Sequence, residues 1–150
     1  MNKTLAAALA TAAVFVVGGA QAQTNGSIQI KGTVATVCTV AVTDIGASLN
    51  ITGGETNKPV GTIVETCNSG SGYRVTVSSS NAGSLKNGNS AITYQLNYDG
   101  QSGGLSGPMT VERSAAASAK QVQVGVTVPA TANAISGTYS DTLTISIAAC

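Results

Sequence analysis

Short runs in which apolar and polar side chains alternate with a period of two recur along almost the whole chain, and this constrains the fold more than any other feature. Ser27 to Val34 places Ile28, Ile30, Gly32 and Val34 on one face. Val37 to Val42, Val60 to Cys67, Gly72 to Ser78, Ala91 to Tyr98, Gln121 to Val128 and Thr142 to Ile147 repeat the pattern. A period of two is the repeat of a β-strand, and a helix would need 3.6. Turn chemistry separates the runs: Asp99-Gly100 follows Tyr98, and Ser80-Asn81 precedes Gly83. Glycine and asparagine tolerate the positive φ that tight turns demand. Many short strands at this spacing predict an all-β protein, an antiparallel sandwich or barrel. Gly100 to Gly107 reads as an exposed glycine- and serine-rich loop, and the alanine-rich patch from Ser114 to Lys120 as one or two helical turns at most.

The first residues read as an export leader. Lys3 supplies a positive start, Leu5 to Val17 is nearly all apolar, and Ala20-Gln21-Ala22 has the small-x-small form cut by signal peptidase. The apolar run is shorter than the ~20 residues a membrane span needs. Residues 1–22 are therefore expected to be removed, leaving a mature chain from Gln23 with the length of one domain. The expected destination lies beyond the inner membrane: periplasm, then cell surface or exterior.

Composition then closes off several chemistries. Seven basic and six acidic residues make up the whole charge, and loss of Lys3 leaves six of each, dispersed along the chain. Such a balance offers no electrostatic footprint for nucleic acid or anionic lipid, and low net charge favours association. With no histidine, a histidine-based triad, a histidine-ligated metal and a histidine proton shuttle are all impossible. The glycines of the 100–107 segment lack the GxxxxGK[ST] spacing of a phosphate loop. Ser84 with Lys86, or Ser118 with Lys120, would need a buried lysine to act as a dyad, and nothing in the pattern buries one. The acids are too scattered for a paired-carboxylate site or a calcium loop. No catalytic, metal or cofactor site is expected, and the chain reads as a non-enzyme. Asp141 fits a turn cap better than a contact with a chaperone. The four tyrosines fit packing better than a sugar-binding surface.

Three cysteines allow three pairings, and arithmetic does not choose among them. Cys38 and Cys67 lie near the ends of two expected strands in an exported chain, where a disulfide would persist as a staple. Cys150 is left as a free thiol, an intrachain partner or an intersubunit bridge.

Several of these segments resemble one family. Cys67-Asn68-Ser69-Gly70-Ser71-Gly72-Tyr73-Arg74-Val75-Thr76-Val77 is similar to the second-cysteine strand of spore coat protein U domains, the Csu-type pilins of archaic chaperone–usher systems. Val128-Pro129-Ala130 with Gly137-Thr138-Tyr139-Ser140-Asp141-Thr142-Leu143-Thr144-Ile145 resembles their closing motif, and Tyr94-Gln95-Leu96-Asn97-Tyr98 their middle strand. The N-terminal run from Asn25 to Val34, shortly before Cys38, resembles the donor segment of type 1-like pilins.

The resemblance implies an incomplete immunoglobulin-like β-sandwich, completed by donor-strand exchange. In that arrangement residues 23–35 form a donor extension and residues 36–150 the sandwich. Ile28, Ile30, Gly32 and Val34 of one subunit would enter a groove beside the last strand, Leu143, Ile145 and Ile147, of the next. Gly32 would let the donor backbone come close. On periodicity alone, Ile28 to Val34 reads as an ordinary first strand paired within its own chain. The resemblance, together with a sequence that ends on the Ile147 strand, reverses that reading. The implied function is a structural subunit of a surface pilus or fimbria serving adhesion or biofilm formation. Its implied partners are like subunits, a periplasmic chaperone and an outer-membrane usher. A coat or matrix protein of the same fold, and a monomeric secreted binding module, are the alternatives.

Overall fold

The computed structural model of the protein describes residues 25–150, so the leader expected over 1–22 lies outside the described residues. The chain divides into two units, Met1–Thr33 and Val34–Cys150. In the described part of the first unit there is no strand, and Ile28 and Ile30 are 91% and 95% exposed. The alternating pattern here has not been turned into a paired strand.

The second unit is all-β and antiparallel throughout, as the periodicity predicts. Its strands are β1 (Cys38–Asp44), β2 (Glu55–Cys67), β3 (Tyr73–Ser79), β4 (Ser84–Asn87), β5 (Ser90–Thr93), β6 (Gln95–Tyr98), β7 (Gln101–Gly104), β8 (Met109–Arg113), β9 (Lys120–Val128) and β10 (Leu143–Ala149). One sheet runs β1-β2-β9-β6-β7, the other β10-β3-β8, and β4-β5 forms a small hairpin. The architecture is an immunoglobulin-like sandwich. Inward positions follow the alternation: Ile63 on β2, Val75 and Val77 on β3, Leu96 and Tyr98 on β6, and Val122, Val124, Val126 and Val128 on β9 are all buried. Each such side chain taken from water contributes about 1.5–3 kcal/mol.

The elements depart from the sequence reading in four places, each with a local cause. The strand expected from Val60 begins at Glu55, because Pro59 sits at a register shift where its missing N–H interrupts no ladder bond. The run from Ala91 to Tyr98 is cut at Tyr94, whose N–H leaves the β6 ladder to bond the carbonyl of Gly83. The 100–107 segment is not wholly loop, since Asp99-Gly100 turns the chain into β7 against β6. The alanine-rich patch forms no helical turn and runs from β8 to β9 as an irregular link. Six or so residues cannot repay helix nucleation without a packed face.

A polar constellation holds the two sheets together at one end. Glu65 points inward from β2 in phase with Ile63 and Cys67 and is 0% exposed. Arg113, from β8 in the opposite sheet, donates to it through Nε at 2.9 Å and Nη2 at 2.8 Å. The Tyr73 hydroxyl donates at 3.0 Å, and the Tyr98 hydroxyl donates to the other carboxylate oxygen. Asp99 joins Arg113 from outside, and Lys120 approaches Asp99 at 2.8 Å. Burial alone would raise the Glu65 carboxyl above its ordinary value of 4.5. The bonds from Arg113, Tyr98 and Tyr73 outweigh burial and hold it below. Burial and the bond to Glu65 push the Tyr98 hydroxyl upward.

A group with a depressed folded pKa stabilises the fold above its unfolded value, and that contribution is lost as pH falls through the folded value. Stability should therefore decline as pH drops below about 4.5. Glu65→Gln, which leaves Arg113 without its buried charge partner, should cost about 3 kcal/mol at neutral pH and flatten that acid decline. Urea midpoints of both proteins from pH 7 to pH 3 provide the check. Parallel curves would show that Glu65 is not the group responsible.

Candidate subunit interface

Among the described residues, β1 pairs with β2 alone, and β10 with β3 alone. Each is the last strand of its sheet, and the two lie next to one another across the sandwich. Between them the core is open. Cys38 and Val40 on β1 and Leu143, Ile145 and Ile147 on β10 are only half-buried, although they occupy the inward phase of their strands. Val42, also inward in phase because it pairs with buried Ile63, is 54% exposed. The opening is a cavity of about 670 Å³ floored by Val124, Val126, Leu85 and Tyr94 and walled by Leu143 and Ile145. Inward-phase side chains are thus left in contact with solvent along this seam.

Two features hold the rims of this opening in place. A disulfide joins Cys38 to Cys67, which are direct cross-strand partners, and so ties the start of edge strand β1 to β2. It closes a sequence separation of 29 residues, a constraint that contributes roughly 3–4 kcal/mol in the chain-entropy account. Asn68, just after the disulfide, accepts from the Val37 N–H and donates to the Ala35 carbonyl, so the chain entering β1 is pinned as well. At the far end Asp141 accepts from the backbone N–H groups of Asn81 and Thr142 at 3.0 and 2.7 Å, and from the hydroxyls of Ser79 and Tyr94. That is the turn cap expected of it, and it fixes the point at which β10 begins.

Leu143, Ile145 and Ile147 share the inward phase of β10, and Leu143 and Ile145 line the cavity. Ile28, Ile30 and Val34 are exposed, at 91, 95 and 85%. An added Cβ on Gly32 would meet nothing within 4 Å in the lone chain. Three of the four tyrosines, Tyr73, Tyr94 and Tyr98, are buried, and Tyr139 packs half-buried against the core, so no aromatic platform is presented. Cys150 carries an exposed free thiol. Sequence reasoning did not find the part played by Glu65. A charged residue in the inward phase of an alternating strand, between Ile63 and Cys67, was the available signal.

The profile of the Spore Coat Protein U domain matches residues 19–146, most of the chain, and the protein belongs to that family. No curated protein sequence matches the chain closely enough to count as a relative. The family is a structural domain of pilin-type and coat proteins, exported to the surface, and is not an enzyme family.

An open apolar groove of this size should bind a hydrophobic dye. Anilinonaphthalene sulfonate fluorescence is expected to rise on the folded monomer and to fall several-fold in Ile145→Asp, which puts a charge on the groove wall. Equal fluorescence in the two folded proteins would mean that the dye, and the exposed apolar surface, lie elsewhere.

Proposed function

We propose that the protein is a structural subunit of a chaperone–usher fibre, and that copies join when residues 23–35 of one supply the strand lacking in the next. The observation that carries this reading is the open seam between β1 and β10, in a chain that also presents an unpaired alternating apolar segment. The two match in length. β10 has seven residues, and Ile28 to Val34 is also seven, so at about 3.3 Å per residue a donor strand would span the free edge end to end. They match in phase, since Ile28, Ile30 and Val34 share one face, as do Leu143, Ile145 and Ile147.

Strand addition satisfies the row of backbone donors and acceptors that an edge leaves open, while the side chains supply the apolar fill. Burying three such side chains contributes on the order of 5–8 kcal/mol, opposed by the ordering of a free tail. Gly32, in phase with the inserting side chains, lets the donor backbone lie close to its acceptor. Before assembly the same groove would need a temporary cover, the part taken in this family by a periplasmic chaperone that hands subunits to an outer-membrane usher. Adhesion or biofilm formation at the cell surface is the corresponding role. The unpaired state of residues 25–34 supports assembly over a self-completed binding module.

The test compares the mature chain from Gln23 with two variants, a deletion of residues 23–34 and Ile30→Asp, by size-exclusion chromatography and negative-stain microscopy. Heat-resistant polymers from the first, and monomers or short oligomers from the variants, are the expected result. Thin fibres distinguish a pilus from the sheath of a coat protein. Well-folded monomers from all three would overturn the proposal.

A further inference from the structure

The outer face of the five-stranded sheet carries a second feature, separate from the groove. Along β9 the outward positions are Gln121, Gln123, Gly125 and Thr127, and on β6 they are Gln95 and Asn97. Beside them β2 bulges between Glu55 and Lys58, and within the bulge Asn57 takes a left-handed φ of 48°. A bulge and a left-handed residue interrupt the ladder and collect at sheet edges and functional positions. Here they lay the Asn57 carboxamide flat on the sheet over Gly125, where an added Cβ would come within 2.2 Å of Asn57 Oδ1. A glycine in mid-strand weakens a sheet unless something must lie close to it, and what lies close is this amide.

Thr127 holds the arrangement in place. Its Oγ1 accepts from the Asn57 backbone N–H at 3.0 Å and from Asn97 Nδ2 at 3.0 Å. The result is a depression of about 340 Å³ between the Asn57 bulge and the turn at Asp99-Gly100, with Gln101, Gln121 and Gln123 around it. The carboxylate of Asp99 is already matched by Arg113 and Lys120. Among the described residues, the side-chain amides of Gln101, Gln121 and Gln123 engage no protein partner. The lining therefore presents several carboxamides, each offering both donor and acceptor, without uncompensated charge and without an aromatic ring.

We propose that this depression binds a short neutral saccharide, whose hydroxyls donate and accept as carboxamides do. The volume lies at the small end of ligand sites and suits one or two sugar rings. The absence of net charge disfavours an anion or a cation, and the polar lining disfavours a lipid. This proposal does not rest on strand exchange: an assembled fibre and a lone monomer would present the same face.

Saturation-transfer NMR on the mature chain, in whatever assembly it adopts, supplies the test. The probes are methyl glycosides of mannose, glucose, galactose and N-acetylglucosamine with their disaccharides, and N-acetylneuraminic acid serves as the charged control. Saturable transfer to at least one neutral sugar is expected. Gln121→Ala combined with Gln123→Ala should weaken it about tenfold, with assembly and melting unchanged. Gly125→Ala, which displaces the Asn57 amide, should weaken it independently. No transfer to any neutral sugar at millimolar concentration, or transfer unaffected by these variants, overturns the proposal. Loss of side-to-side bundling in the double variant without any sugar transfer also overturns it, and assigns the face to a second copy.

Discussion

Among the described residues, β10 is paired along its length with β3 and makes no backbone pairing toward β1, and much else in the molecule depends on that open seam. A sandwich normally closes its core by bringing the edges of its sheets close enough for side chains to meet. Here Val42, Ile145 and Leu143 face a gap instead, above a floor formed by Val124 and Val126. An open edge over an apolar groove is the geometry by which strands recruit further strands, and a soluble monomer ordinarily blunts it with charge, proline or a covering loop. β10, with Thr144, Ser146 and three aliphatic residues, carries none of these devices.

A sandwich open along one seam must hold its parts together by other means. The bidentate pairing of Arg113 with Glu65, with hydroxyls from Tyr73 and Tyr98 satisfying the same carboxylate, links both sheets through a point that tolerates little displacement. A buried ion pair is a poor source of net stability, yet removing one partner is expensive, so it acts as a register pin. The Cys38–Cys67 bond does the corresponding work at the edge, where β1 would otherwise be held by ladder bonds on a single side. Asp141 completes the set by fixing the corner from which β10 departs. These three points brace the groove on both rims.

Period-two alternation made the fold class and most strands legible in the sequence, because inward and outward phases are recorded residue by residue in runs such as Gln121 to Val128. The irregularities were not legible. The alternation begins at Val60, while β2 itself begins at Glu55 and passes Pro59 at a register shift that periodicity does not record. Tyr94 belongs to an unbroken alternating run, and its departure from the ladder is decided by Gly83, a tertiary partner that periodicity cannot see. The family resemblance assigns Leu143, Ile145 and Ile147 to an acceptor groove, whereas alternation places them only on one face of a strand. The Asn57 bulge and the Glu65 clasp could not be named in advance, since each depends on side chains brought together from distant strands.

Amide hydrogen exchange along β1 and β10 reports most directly on the open seam. In the monomer, freed of assembly by deletion of residues 23–34, amides of β10 that face β1 should exchange rapidly while those bonded to β3 remain protected. In the assembled protein, both sets should be protected. If both sets are protected in the dilute deleted monomer, the seam is closed by the sandwich itself and there is no vacant strand for a neighbour to fill.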